Sequence, residues 1–96
     1  MIKPYLTNKN MLVPYYLMYS YAYYQENESL IEDSEYDQIC QDLITNWDNI
    51  THWHKPLLDL ESLKAGTGYD IKYPPRVVGA AIALIKENQL NTTEMD

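Results

Sequence analysis

The chain has 96 residues, 7 Lys+Arg against 14 Asp+Glu, and a formal charge of −7. That length holds one small domain with a thin core and leaves no room for a dinucleotide-binding fold or a nucleotidyltransferase. The acidic balance opposes general nucleic-acid binding, which needs a basic footprint, and opposes docking on an anionic membrane. No apolar run approaches the roughly 20 residues of a membrane span. Residues 1–10 lack the apolar centre of a signal peptide. A lone cysteine, Cys40, excludes an internal disulfide and fits a reducing compartment. The expectation is a small, acidic, cytoplasmic protein.

Residues 1–10 read as a polar lead-in. The first helix is expected from Leu12 to Gln25, with Leu12, Tyr16, Tyr19 and Tyr23 on one face. Pro14 falls in its first turn, where a missing N–H matters least. Residues 26–32 read as a connecting loop. A second helix is expected over 34–47, with Asp33 as N-cap and acids at the positive end of its dipole. Tyr36, Ile39, Cys40, Leu43, Ile44 and Trp47 form its apolar stripe, which makes Cys40 a packing residue.

Lys55-Pro56 breaks any helix entering it. A short helix is predicted over 57–64, ended by Gly66 as C-terminal cap, and residues 69–73 form a link. Pro75 then opens a last helix over 76–88. This is the most apolar segment and is expected to fill the centre of the domain. Residues 89–96 are polar and expected to fray. The fold class is therefore all-α: a single domain, 1–96, of three to four helices. A hairpin spans about 12–47 and a C-terminal helical part about 57–88. Ten tyrosines and no phenylalanine mean that the aromatic core carries hydroxyls that need partners.

The segment from Tyr23 to Asp37 carries the chemistry. An aromatic pair, Tyr23-Tyr24, is followed at fixed spacing by Ile31-x-Asp33-x-Glu35-Tyr36-Asp37. This resembles the N-terminal nicotinamide-binding (Ia) domain of bacterial NAD-dependent DNA ligases over about residues 12–47, with Gln41-Asp42-Leu43 similar to the family's continuation of the second helix. The resemblance implies a helical hairpin that binds the nicotinamide mononucleotide half of NAD. Tyr23, Tyr24, Asp33, Tyr36 and Asp37 stand at the matching cofactor-binding positions. The underlying chemistry is simple: an aromatic face attracts the cationic nicotinamide ring, and carboxylates accept hydrogen bonds from ribose hydroxyls. Tyr24 departs from the family's usual histidine, which removes an imidazole able to meet the phosphate.

None of Lys3, Lys9, Lys55, Lys64, Lys72 and Lys86 lies in the K-x-D-G setting of an adenylation nucleophile. The chain is accordingly expected to be non-catalytic and to require no cofactor. It looks like a free-standing Ia relative, of a kind that suggests a phage origin. The leading expectation is an interaction protein that binds a host partner, such as a DNA ligase or another NAD-using enzyme. The alternative is a module that binds NAD or nicotinamide mononucleotide. A further alternative rests on the acids between Glu26 and Asp37, which could mimic DNA phosphates toward a DNA-binding or defence protein. A homodimer through exposed aromatics stays open, as does the bland reading in which Asp33, Tyr36 and Asp37 only cap and pack the hairpin. His52-Trp53-His54, with Asp48 or Asp59, matches no strong zinc signature. Gly66-Thr67-Gly68 lacks the context of a phosphate loop and reads as a turn.

Overall fold

The first helix, α1 (Leu12–Gln25), has no charged residue anywhere along it. A helix without a charged face has none to turn toward water, and α1 is accordingly buried on most sides. In the computed structural model, which describes residues 4–65 and 71–94, its buried residues are Leu12, Val13, Tyr16, Leu17, Met18, Tyr19, Ser20 and Ala22. The three other helices are α2 (Asp33–Thr45), α3 (Leu60–Ala65) and α4 (Pro75–Glu94), and no strand occurs among the described residues. The fold is all-α, and α1 and α2 form a helical hairpin. Both α2 and α4 pack on α1, and α3 packs on α2.

The centre of the domain is thus α1, not the last helix as its apolar composition predicts. Among the described side chains of α4, Val77, Ala81 and Ile85 are buried at i, i+4 and i+8, while Gly79, Ala80 and Ala83 face out. A single stripe marks a covering helix rather than a central one. Pro75 opens α4 as expected, and the Val78 N–H donates to the Pro74 carbonyl at 3.0 Å. The expected end at 88 is too early: α4 runs to Glu94, because nothing after Gly79 breaks it and Glu87, Gln89 and Leu90 favour helix. Residues 95–96 lie outside the described residues, as does the expected Gly66 cap.

Two further boundaries differ from expectation. Helix α2 stops at Thr45 rather than 47: Asn46 leaves helical geometry at φ −103° and ψ 13°, and its side-chain Nδ2 donates to the Asp42 carbonyl at 2.8 Å. Trp47–Asn49 follows as a 3-10 turn. The helix expected over 57–64 is divided. Lys55–Leu57 is a 3-10 turn, Leu58 is extended, and α3 starts only at Leu60. Asp59 begins it by accepting the Leu63 N–H on its carbonyl at 3.0 Å and the Ser62 hydroxyl on its carboxylate at 3.1 Å.

The expected polar lead-in is instead structural. Pro4–Leu6 and Lys9–Met11 are 3-10 turns that bring Tyr5 into the core, where its ring meets Tyr15 and Tyr19 at centroid distances of 5.3 and 6.5 Å. The Asn10 carboxamide pins this segment to the middle of the chain. Its Nδ2 donates to Thr51 Oγ1 at 3.2 Å, and its Oδ1 accepts the Thr51 N–H at 2.9 Å.

Gly79 sits on the exposed face of α4, and a Cβ added there meets nothing within 4 Å. Gly79→Ala is expected to raise stability by about 0.5–1 kcal/mol, through lower backbone entropy in the unfolded chain. Leu17→Ala, at a fully buried site on the central helix, is expected to lower it by about 2–5 kcal/mol. Urea unfolding midpoints compared with wild type check both.

Candidate functional site

Helical spacing assembles the site from three pieces. On α1, Tyr19 and Tyr23 are four apart and share a face, with Tyr24 beside them in the last turn. On α2, Asp33, Tyr36 and Asp37 lie at i, i+3 and i+4 on one face of the first turns. Ser29, Leu30 and Ile31 cross between the two helices. Together these residues line one cavity of about 250 Å³ at the connecting end of the hairpin. All five residues singled out from the sequence (Tyr23, Tyr24, Asp33, Tyr36 and Asp37) are therefore brought together. Tyr19 and the Ser29–Ile31 segment complete the wall. Tyr19 was legible as a helix-face residue, whereas the inward course of the loop left no signal in composition.

The loop reaches this position through a tight exit from α1. Asn27 adopts a left-handed conformation at φ 55°, which asparagine tolerates better than most residues. The Glu28 N–H then donates back to the Ala22 carbonyl at 2.8 Å. The Ser29 hydroxyl donates to the Ile31 carbonyl at 2.9 Å and rounds off the crossing.

At the start of α2 the expected cap is misplaced by one residue. Glu32 is the N-cap, without a side-chain capping bond, and its carbonyl accepts the N–H groups of Glu35 and Tyr36, both at 3.0 Å. Asp33 is the first helical residue. Its carboxylate is not used in capping and lines the cavity instead.

The candidate residues differ in how firmly they are held. The rings of Tyr23 and Tyr24 meet edge to face, with centroids 4.9 Å apart, and Tyr23 is 51% exposed. Asp33 and Asp37 are exposed. Tyr36 is half-buried. Its hydroxyl shares a 2.6 Å hydrogen bond with Ser20 Oγ, and its ring lies 5.7 Å from that of Tyr16. Tyr36 thus joins the two helices as well as lining the cavity. Tyr16 and Tyr19 are buried in the core.

Burial shapes the titration of this cluster. The phenol of Tyr19 is pushed up to about 12 by burial and by the negative charge of Glu35. That of Tyr36 is pushed up to about 12 by burial, against the lowering effect of its bond to Ser20. Burial also drives Tyr5 upward, helped by its 2.6 Å donation to Glu35 Oε2. Cys40 is buried, and burial together with the Asp37 charge pushes its thiol up to about 11. It is protonated at neutral pH and acts as a small apolar group.

His52, Trp53 and His54 lie apart from this cavity. The His54 N–H donates to His52 Nδ1 at 3.1 Å, and burial and the neighbouring His54 lower the pKa of His52. Among the described residues no group of three His, Cys, Asp or Glu side chains converges on one point. No described helix is long and apolar enough to cross a membrane. Gly66-Thr67-Gly68 lies outside the described residues. No protein-family model, curated protein or solved structure matches the chain.

A phenol whose pKa is higher in the folded than in the unfolded chain stabilises the fold while neutral. For Tyr19 and Tyr36 that contribution is complete below the ordinary value of 10.0 and is lost as pH rises through about 12. The chain is expected to unfold over this window, with helical circular dichroism falling as tyrosinate absorbance rises. Tyr36→Phe cannot ionise. It should lower stability at neutral pH by about 1–3 kcal/mol, because the buried Ser20 hydroxyl loses a partner, yet flatten the fall of stability with pH across the window.

Proposed function

We propose that the chain is a small, non-catalytic binding module whose hairpin cavity receives a nicotinamide-type ring, as in nicotinamide mononucleotide. The observation that supports this is the convergence of Tyr23, Tyr24, Asp33, Tyr36 and Asp37 on one cavity. These are the positions at which the chain resembles the ligase Ia domain. Tyrosine faces attract a pyridinium cation, and exposed carboxylates accept hydrogen bonds from hydroxyls such as those of a ribose. A cavity of about 250 Å³ lies below the roughly 300–1,000 Å³ of sites for drug-sized ligands. It suits one ring and its sugar rather than a whole dinucleotide. On this reading the adenosine half of NAD stays outside.

A second reading, docking on a protein partner such as an NAD-using enzyme, is favoured by two exposed apolar side chains. Trp53 is 68% exposed and Leu6 is 66% exposed. It predicts that Trp53→Ala abolishes partner capture while ligand binding is unchanged.

The deciding experiment is an amide-shift NMR titration with NAD, nicotinamide mononucleotide and nicotinamide riboside. Saturable shifts confined to the surroundings of Tyr23, Tyr24, Asp33, Tyr36 and Asp37 are expected with at least one of the three. Tyr23→Ala and Asp37→Ala, both at exposed positions, should each weaken binding by about tenfold with the fold intact. Absence of shifts with all three at millimolar concentration rejects the ligand site.

A further inference from the structure

The charge around the cavity is one-sided. Its described lining contains the carboxylates of Asp33 and Asp37 and four tyrosine rings, and no Lys, Arg or His. Glu26 and Glu32, in the connecting loop, are also exposed and add to the negative potential. A phosphate group normally finds arginine, lysine or a set of free backbone N–H groups.

The two helix ends at the cavity supply no basic residue either. The last turn of α1, which carries Tyr23 and Tyr24, presents the negative end of its dipole, and no basic residue lies in that turn. The positive end of α2 is answered by its own Asp33 and Glu35. Two of its first-turn N–H groups, those of Glu35 and Tyr36, are already bonded to the Glu32 carbonyl. An incoming phosphate would meet two carboxylates and no described side-chain cation.

The same walls favour a particular cation. Tyrosine faces are most effective toward a weakly hydrated, delocalised or alkylated charge, because little hydration is lost when it leaves water. The carboxylates then serve both charge and hydroxyl groups.

We propose that the cavity selects a phosphate-free pyridinium nucleoside, of the nicotinamide riboside class, over its phosphorylated mononucleotide. This rests on the nicotinamide-ring reading above and narrows it. The ring cation lies against the tyrosines, and the ribose hydroxyls donate to Asp33 and Asp37, whose charge repels a phosphate carried on the same sugar.

The test is calorimetric titration of the wild-type chain with nicotinamide riboside, nicotinamide mononucleotide, reduced (dihydro) nicotinamide riboside and choline. At low salt the riboside is expected to bind about tenfold or more tightly than the mononucleotide. Added salt should narrow the gap as carboxylate–phosphate repulsion is screened. The reduced riboside keeps the sugar and loses the ring charge, so it should bind about tenfold more weakly than the oxidised form. Choline, a cation without ring or ribose, should also bind more weakly. Asp33→Asn and Asp37→Asn should weaken the riboside and move the mononucleotide closer to it. A mononucleotide that binds as tightly as the riboside overturns selection against phosphate and leaves the nicotinamide-ring reading standing. Equal binding of the reduced riboside, or tighter binding of choline, overturns the pyridinium assignment. Silence from every ligand removes both readings.

Discussion

A helix buried on most of its sides must satisfy every polar group it brings with it, and α1 brings tyrosines and a serine into the centre of a small core. An unpartnered buried hydroxyl costs more than a made hydrogen bond contributes. The packing around α1 is arranged accordingly. Ser20, fully buried, shares its hydrogen bond with the Tyr36 hydroxyl, and the Tyr5 hydroxyl donates to Glu35. Among the described residues no buried side-chain nitrogen or oxygen lacks a partner. These bonds fix how α2 and the N-terminal segment approach α1, so the hydroxyls set the geometry that aliphatic packing alone would leave looser.

The candidate site depends on the same constraint. Tyr36 lines the cavity and also ties α2 to α1, so its placement is held by the core. With Tyr36 fixed, Asp33 and Asp37 follow from helical periodicity one turn before it and one residue after it. Their exposure keeps them available to a ligand. A change at Tyr36 therefore acts on stability and on the cavity together, whereas changes at Tyr23 or Asp37 act mainly at the cavity wall. This separation makes the exposed pair the cleaner probes of binding.

The irregular parts of the chain are held by specific polar contacts rather than by burial alone. Asn10 and Thr51 exchange two hydrogen bonds across 41 positions in sequence. Lys55 Nζ donates to the Trp47 carbonyl at 2.5 Å and sits 4.8 Å from the centroid of the Trp47 ring. Such bonds let a stretch without regular helix between α2 and α3 keep a defined path, while Ile50, His54 and Leu58 reach the interior. The hydroxyl, carboxamide and ammonium groups here do the positioning that a longer helix would otherwise do.

The sequence by itself determined the helical class, the bounds of α1 and the opening of α4 at Pro75. Each follows from local physics: periodicity and proline's fixed φ. The five residues of the candidate cavity were singled out through the resemblance to the ligase Ia domain, not through periodicity. Particular hydrogen bonds and packing contacts of the folded chain, some local and some long-range, decided the rest. The burial of Tyr5 required Glu35, Tyr15 and Tyr19 to be in place. The early end of α2 came from Asn46 bonding back to Asp42, and the break before α3 from Asp59 starting a new turn. Which helix lies at the centre was already written in the sequence, in the absence of any charged residue along α1. Apolar content alone misleads there, because a one-sided stripe as on α4 covers a core and only a helix without a charged face fills one. That the loop of Ser29–Ile31 closes the wall of the cavity was a matter of the folded chain, since its course depends on the left-handed turn at Asn27 and the bond from Glu28 to Ala22.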